Sequence, residues 1–338
     1  MVLCALMALP AEGPAGQPAP GPDAGPPGGA PRQGGTYRRP LENDPVTLDP
    51  ALVSDIYAFT VIQQIFDGLV QFGESAGIRP CLAQSWKSSR DGLTWTFQLR
   101  RGVKFHHGRE MTADDVIYSF TRLLDPHQHA RVGVADFLLK IRGAREVAGG
   151  RAARLEGLRA LDPYTVEVVL TEPSAQLVPS LGVAHTKIVP REVVERLGAR
   201  FGAEPVGTGP FKFLEWQRNQ RLVLAANPDY FGGRPHVNRL EYRVFPGLAH
   251  DRMLASFERG ELEDSPIPAS ERKRFLGRSP HQVVQRPILG MAFLAFNTAM
   301  HPFDNPKVRQ AIGHAIDRAE IVRTINQGRF APGSGILP

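Results

Sequence analysis

Three clusters of residues in this sequence have the types and spacing that chemistry requires. Gly73-Glu74-Ser75-Ala76-Gly77 reads G-x-S-x-G, the pattern that exposes a nucleophilic serine on a strand-to-helix elbow in serine hydrolases. A short apolar strand, Leu69 to Phe72, precedes it as the motif demands. The helix that should follow is not supported, because Pro80 removes a backbone N–H where its first turn would need one. Ile78-Arg79-Pro80 reads instead as the exit of a hairpin loop. A secreted serine hydrolase using Ser75 is the alternative function this motif leaves open. His106-His107 and His127-x-His129 have imidazoles close enough to share a metal ion. No cysteine or second acidic cluster stands at a usual ligand spacing beside them, so surface histidines and no metal site are expected. No H-E-x-x-H, P-loop or G-x-G-x-x-G occurs.

The elements that would have to position such groups are legible from periodicity. In LTWTFQLRRGVKFHHGREMTADDVIYSF, residues 93–120, Leu93, Trp95, Phe97 and Leu99 alternate with Thr94, Thr96, Gln98 and Arg100, as in a half-buried strand. Thr112 and Asp115 then form a T-x-x-D capping box, and Ala113, Val116, Ile117, Phe120 and Leu124 recur at helical spacing. A helix is predicted over 55–67, carrying Val61, Ile62, Ile65 and Phe66. Further strands are predicted at Tyr164, Val166, Val168 and Leu170 and at Leu240, Tyr242 and Val244. Phe211 to Trp216 and Leu222 to Ala226 read as a hairpin around Arg218-Asn219-Gln220. Met253, Leu254 and Phe257 lie on a helix stopping at Gly260. Asn305 caps a helix with Pro306 at its first position, and Val308, Ala311, Ile312, Ala315 and Ile316 are expected to be its buried stripe. Asp317 and Glu320 open another helix. The class is mixed α and β without a regular β-α repeat.

At 338 residues the chain fits two or three lobes and has room for a cleft between them. Its 42% hydrophobic and 22% charged residues suit a globular protein, and no apolar run approaches the roughly 20 residues of a membrane helix. A net charge of +6 from 40 basic and 34 acidic residues is too mild for a nucleic-acid footprint, and Arg272-Lys273-Arg274 is expected to be a solvated helix face. With only Cys4 and Cys81, no disulfide framework follows. Residues 1–9, MVLCALMAL, are similar to the back half of a secretory signal whose charged start is missing. Lipidation at Cys4 is not expected. Residues 10–35 are nearly all Pro, Gly, Ala and Gln, a composition expected to form a disordered tether.

Five blocks, LAQSW (82–86), SRDGLTWTFQLRRGVKFHHGREMTADDVIYSF (89–120), PVGTGPFKFLEW (205–216), NPDYFGG (227–233) and FNTAMHPFDNPKVRQAIGHAIDRAEIV (296–322), together resemble the extracytoplasmic solute-binding proteins of peptide and nickel ABC transporters, bacterial family 5. The resemblance implies a periplasmic-binding-protein type II-like, mixed α/β fold of two ligand lobes with an inserted accessory lobe. Lobe I would comprise residues 36–65 and 195–290, the accessory lobe 66–194, and the start of the second ligand lobe 291–338, most of that lobe lying beyond Pro338. It further implies a non-enzymatic binder of peptides or a related small solute, exported, monomeric and without cofactor. Its partners would be a membrane permease and, through it, the ATPase subunits. Matching motif to motif places Asp44, Val46 and Thr47, the loop Gly207-Thr208-Gly209, and Asn297 at the ligand. Gly207 and Gly209 would alternatively serve only to permit unusual backbone angles.

Overall fold

The computed structural model describes residues 5–7, 33–73, 77–126, 138–247, 249–275, 283–284, 290–325 and 330–333. The chain divides into two compact units, one of residues 31–266 and one of residues 1–30 with 267–338.

The 31–266 unit holds two four-stranded sheets, each with its own apolar core. The first sheet is built from β2 (Thr36–Leu41), β9 (Phe211–Gln217), β10 (Arg221–Ala226) and β11 (Arg239–Val244) in the order β2-β11-β10-β9. β2 runs parallel to β11, and the other pairs are antiparallel. α1 (Ile56–Ile65) lays Val61, Ile62 and Ile65 against Leu222, Leu224, Tyr242 and Phe201. This helix is shorter than the 55–67 predicted. Asp55 stands outside it as the N-cap, accepting from the Ala58 N–H at 2.7 Å, and the backbone is already extended at Phe66.

The second sheet takes β5 (Ala83–Ser88), β6 (Thr94–Leu99), β7 (Leu158–Asp162) and β8 (Thr165–Val169) in the antiparallel order β5-β6-β8-β7. The predicted alternation in β6 shows over its last three residues, where Phe97 and Leu99 are buried and Gln98 is exposed, whereas Thr94, Trp95 and Thr96 are all half-buried. α2 (Ala113–Leu124) starts where expected, with the Thr112 N–H donating to Asp115 Oδ2 at 2.9 Å. Its Val116 and Phe120 pack with Phe97, Val166 and Val168. Burying these side chains is what fixes the helix on the sheet, since each contributes about 1.5–3 kcal/mol relative to exposure. Between the two sheets in sequence, β3 (Val70–Phe72) and β4 (Ile78–Pro80) pair antiparallel, Val70 opposite Pro80 and Phe72 opposite Ile78. α3 (Arg191–Leu197) follows β8, and α4 (His250–Glu258) ends before Gly260, whose φ of +73° suits glycine.

In the other unit, β1 (Ala5–Met7) pairs antiparallel with β12 (Gly290–Ala292). α5 (Pro306–Ala315) begins as the sequence predicts: Asn305 accepts from the Lys307 N–H at 2.9 Å, and Pro306 occupies the first turn. Asp317 likewise accepts from the Glu320 N–H at 2.8 Å. The expected buried stripe is not formed. Val308, Ile312 and Ile316 are half-buried, Ala311 and Ala315 are exposed, and no residue of α5 is buried. Helical spacing selects a face, but it does not supply the surface that covers it. The basic run lies on a short helix, Arg272–Phe275, where Arg274 pairs with Glu271 at 2.8 Å.

Candidate functional site

The predicted site residues fall into three places. The first is the loop Gly207-Thr208-Gly209, which leads into β9. A Cβ on Gly207 would lie 2.1 Å from the Ile65 carbonyl oxygen, and one on Gly209 would lie 2.5 Å from the Ile65 carbonyl carbon. Neither glycine has a positive φ. Their need for glycine is close approach to the end of α1, and not the backbone freedom that the sequence suggested. The Gly209 N–H donates to Ile65 O at 2.9 Å, tying the loop to the last turn of that helix.

Between the glycines, Thr208 is buried and its hydroxyl donates to Asp67 Oδ2 at 2.9 Å. Asp67 is the hub of a buried polar group. Its Oδ1 accepts from Tyr230 OH at 3.3 Å and from Cys81 Sγ at 3.5 Å, and Lys187 is the neighbouring cation. Burial raises the Asp67 carboxyl above its ordinary range, opposed by Lys187 and the three donors. Burial lowers the Lys187 amine, opposed by Asp67. Burial pushes the Cys81 thiol up to about 12, with the Asp67 charge adding to the effect. That thiol is therefore inert, a small core side chain with a weak hydrogen bond.

His106 holds the same loop through three further hydrogen bonds. Its backbone N–H donates to Gly207 O at 2.8 Å, Nδ1 accepts from the Gly207 N–H at 3.3 Å, and Nε2 faces Gly209 O at 3.0 Å. This corrects the expectation of two surface histidines. His107 is exposed and pairs with Glu192 at 2.7 Å, whereas His106 is turned inward and half-buried. Successive residues of a turn leave it in different directions, and only one of these two meets the loop. His127 and His129 lie outside the described residues. Among the described residues, no three His, Cys, Asp or Glu side chains are grouped to hold a metal ion.

The second place is the segment Asp44 to Thr47. The Asp44 carboxylate accepts from Trp216 Nε1 at 2.8 Å and lies 3.0 Å from Arg218 Nε. The Arg218 guanidinium stacks on the Trp216 ring, 4.0 Å from its centroid, and donates to Pro45 O at 3.0 Å. Val46 is 71% exposed. Thr47 turns inward, its hydroxyl accepting from the Asp49 N–H at 3.1 Å. Asp49 is held in turn by a bidentate, buried pair with Arg122 of α2, at 2.7 and 2.5 Å. The segment is thus anchored at both ends, to the β9–β10 hairpin and to α2, with Val46 presented between them.

The third place, Asn297, lies in the other unit. It is exposed, and its Oδ1 accepts from the Ala299 N–H at 3.1 Å, closing a local turn.

Sequence reasoning passed over Asp67, Lys187, Tyr230 and Arg122, named Trp216 and Arg218 only as hairpin residues, and took His106 for a surface side chain. For two of them a signal exists. Asp67 interrupts the apolar run around Ile65-Phe66 and Leu69-Val70, and Lys187 precedes Ile188-Val189. A charged residue placed among core positions implies a buried partner. Ser75 lies outside the described residues. β3 and β4 pair as a hairpin, with the Gly73 N–H donating to Gly77 O at 2.7 Å. A strand-to-helix elbow requires a helix where β4 stands.

The model for bacterial extracellular solute-binding proteins, family 5, matches residues 77–338. Heme-binding protein A of Haemophilus influenzae is 32% identical over 310 residues, covering 87% of this chain and 55% of that protein. Di/tripeptide-binding protein 2 of Pseudomonas aeruginosa is 31% identical over 311 residues, covering 88% and 57%. Among solved structures, the Escherichia coli murein tripeptide binding protein MppA superposes with a TM-score of 0.80 at 27% identity, covering 91% of this chain and 61% of that one. The periplasmic binding protein DppA of Helicobacter pylori, in complex with the peptide STSA, gives a TM-score of 0.73 at 27% identity, covering 88% and 59%. The chain spans a little over half the length of the curated relatives it matches.

Proposed function

The chain belongs to the bacterial extracellular solute-binding proteins, family 5, and from that membership we propose that it is the solute-binding component of an ABC importer for peptides or a related small solute. The observation that carries the proposal is the match over residues 77–338, which spans the Gly207–Gly209 loop and Asn297. Relatives named for heme and for di/tripeptides support a solute of that size class.

In this reading the solute is held in a cleft between lobes at the Asp44–Thr47 segment, where Val46 is exposed, at the buried glycine loop and at Asn297. Closure of the lobes follows from the solute's greater affinity for the closed form, and its size is bounded by that difference. A membrane permease, served by its ATPase subunits, receives the closed form outside the cytoplasm. No bond is made or broken. The hydrogen bonds that hold the two segments suit such a task, because contacts fixed in advance lower the ordering cost of binding. Among the described residues no helix is long and apolar enough to cross a membrane.

Calorimetric titration with dipeptides, tripeptides and heme tests this, alongside thermal unfolding. Saturating solute is expected to raise the unfolding temperature, a solute at about 100 times its Kd adding about 2.7 kcal/mol, and mass spectrometry should recover it unchanged. Hydrolysis of a bound peptide or ester, abolished in Ser75→Ala, would refute the proposal and establish the hydrolase.

A further inference from the structure

The Gly207–Gly209 loop is held by two sets of groups of different character. The first is the Ile65 carbonyl and the Asp67 carboxylate, which accept from the Gly209 N–H and the Thr208 hydroxyl. The second is one imidazole. Because the Gly207 N–H donates to Nδ1, that nitrogen must carry a lone pair, so the ring proton is on Nε2 and donates to Gly209 O. The ring spans the loop, with one acceptor and one donor each matched to a backbone group. We propose that His106 is the positioning residue for the Gly207–Gly209 loop and holds it only while the ring is neutral.

The physical reason is the sign of the Nδ1 contact. An imidazolium carries a proton on both nitrogens, so protonation sets a ring N–H against the Gly207 N–H, turning a hydrogen bond into a repulsion. The surrounding charges do nothing to relieve this. Lys212, just beyond the loop in β9, and His107, beside it on its own turn, both disfavour a charged ring. The acids near that turn are committed elsewhere. Glu192 is taken by Arg109 and His107, Asp115 by Arg109 and the Thr112 N–H, and Glu110 by the Gly102 N–H and Tyr164 OH. Asn227, which also donates to Gly209 O at 3.0 Å, is neutral. Burial, followed by the repulsion from Lys212 and His107, lowers the His106 pKa to about 4, against the Gly209 hydrogen bond. The loop is therefore firmly held near neutrality, and in acid it opens more readily, because the released ring takes up a proton. That this loosening weakens solute binding rests on the function proposed above.

Amide exchange read by NMR on the full chain separates the two ideas. Between about pH 7 and about pH 4, protection of the Gly207 amide is expected to fall at least about tenfold relative to the Leu224 amide in β10. In His106→Gln, which keeps a donor and an acceptor but does not titrate, the ratio is expected to hold across the same range. In His106→Ala it should be low throughout. If Gly207 tracks Leu224 in the natural chain, or if the Gln chain shows the same fall, the proposal is overturned. The natural chain decides the matter even where a variant fails to fold. Trialanine titrated at both pH values gives the second readout. Affinity falling with Gly207 protection supports the loop as part of the solute site. Absent or pH-independent binding removes the loop from that site, and the exchange result alone then decides the role of His106.

Discussion

α2 and α5 begin with equally clear sequence signals and end in different surroundings. Each has a polar N-cap and a regular apolar stripe, and each is helical over that stripe, except that Ile316 stands just past the end of α5 in extended conformation. In α2 the stripe is buried against a four-stranded sheet, with Val116 and Phe120 fully covered. In α5 no residue is buried. Capping and spacing are properties of the segment, whereas burial belongs to the pair of surfaces that meet. The two helices separate these contributions within a single chain.

The sharpest way to break this comparison is to remove apolar volume from each. Phe120→Ala is expected to cost about 3–5 kcal/mol, and Ile312→Ala less than about 1 kcal/mol, in urea unfolding. Equal losses would mean that α5 is packed as tightly as α2.

The buried charge on α2 comes next. Arg122→Met leaves Asp49 buried without its partner and is expected to cost about 3–5 kcal/mol, most of it recovered when Asp49→Asn is added. Arg309 of α5 donates to the Phe303 carbonyl at 2.6 Å and has no buried acid to strand. Arg309→Met should therefore cost less than about 1 kcal/mol. Failure of the double variant to recover would assign the α2 loss to packing instead of charge.

A smaller effect comes from pH, and it too is confined to the covered region. The His106 ring has a pKa of about 4 in the folded chain, below its ordinary 6.5. Between those values the unfolded chain binds a proton that the folded chain refuses, so stability is fully present above pH 6.5 and is lost as pH falls toward 4. The loss is roughly 3 kcal/mol at most. It should appear as a falling urea midpoint on acidification and shrink in His106→Gln.

The smallest effect should be the same in both regions. Asp55→Ala at the start of α1 and Asn305→Ala at the start of α5 each remove one hydrogen bond to a first-turn N–H. Each is expected to cost about 1 kcal/mol, followed by helical circular dichroism during unfolding. A much larger cost at Asp55 would show that the cap is coupled to the core beneath it.

Much of the candidate site was hidden for the same reason that the burial of α5 was. Gly207, Thr208 and Gly209 were identifiable as a loop, but their restraints were not. Thr208 meets Asp67 across 141 residues, and His106 meets Gly209 across 103. No window of periodicity reaches that far. Asp44 was identified, while Trp216, which orients it, is 172 residues away.

What the sequence determined by itself was local or collective: the alternation at the end of β6, the caps at Thr112 and Asn305, the β9–β10 hairpin, and the family, through five blocks in one order. These survive because they depend on neighbours two to four positions away, or on many residues at once. Only the tertiary structure decided which stripe is covered, that two glycines are required by the nearness of the Ile65 carbonyl, and that one of two adjacent histidines turns inward to clamp a loop. Each depends on a surface or a partner brought in by distant chain, and a buried polar group has its meaning only from the partner it finds there.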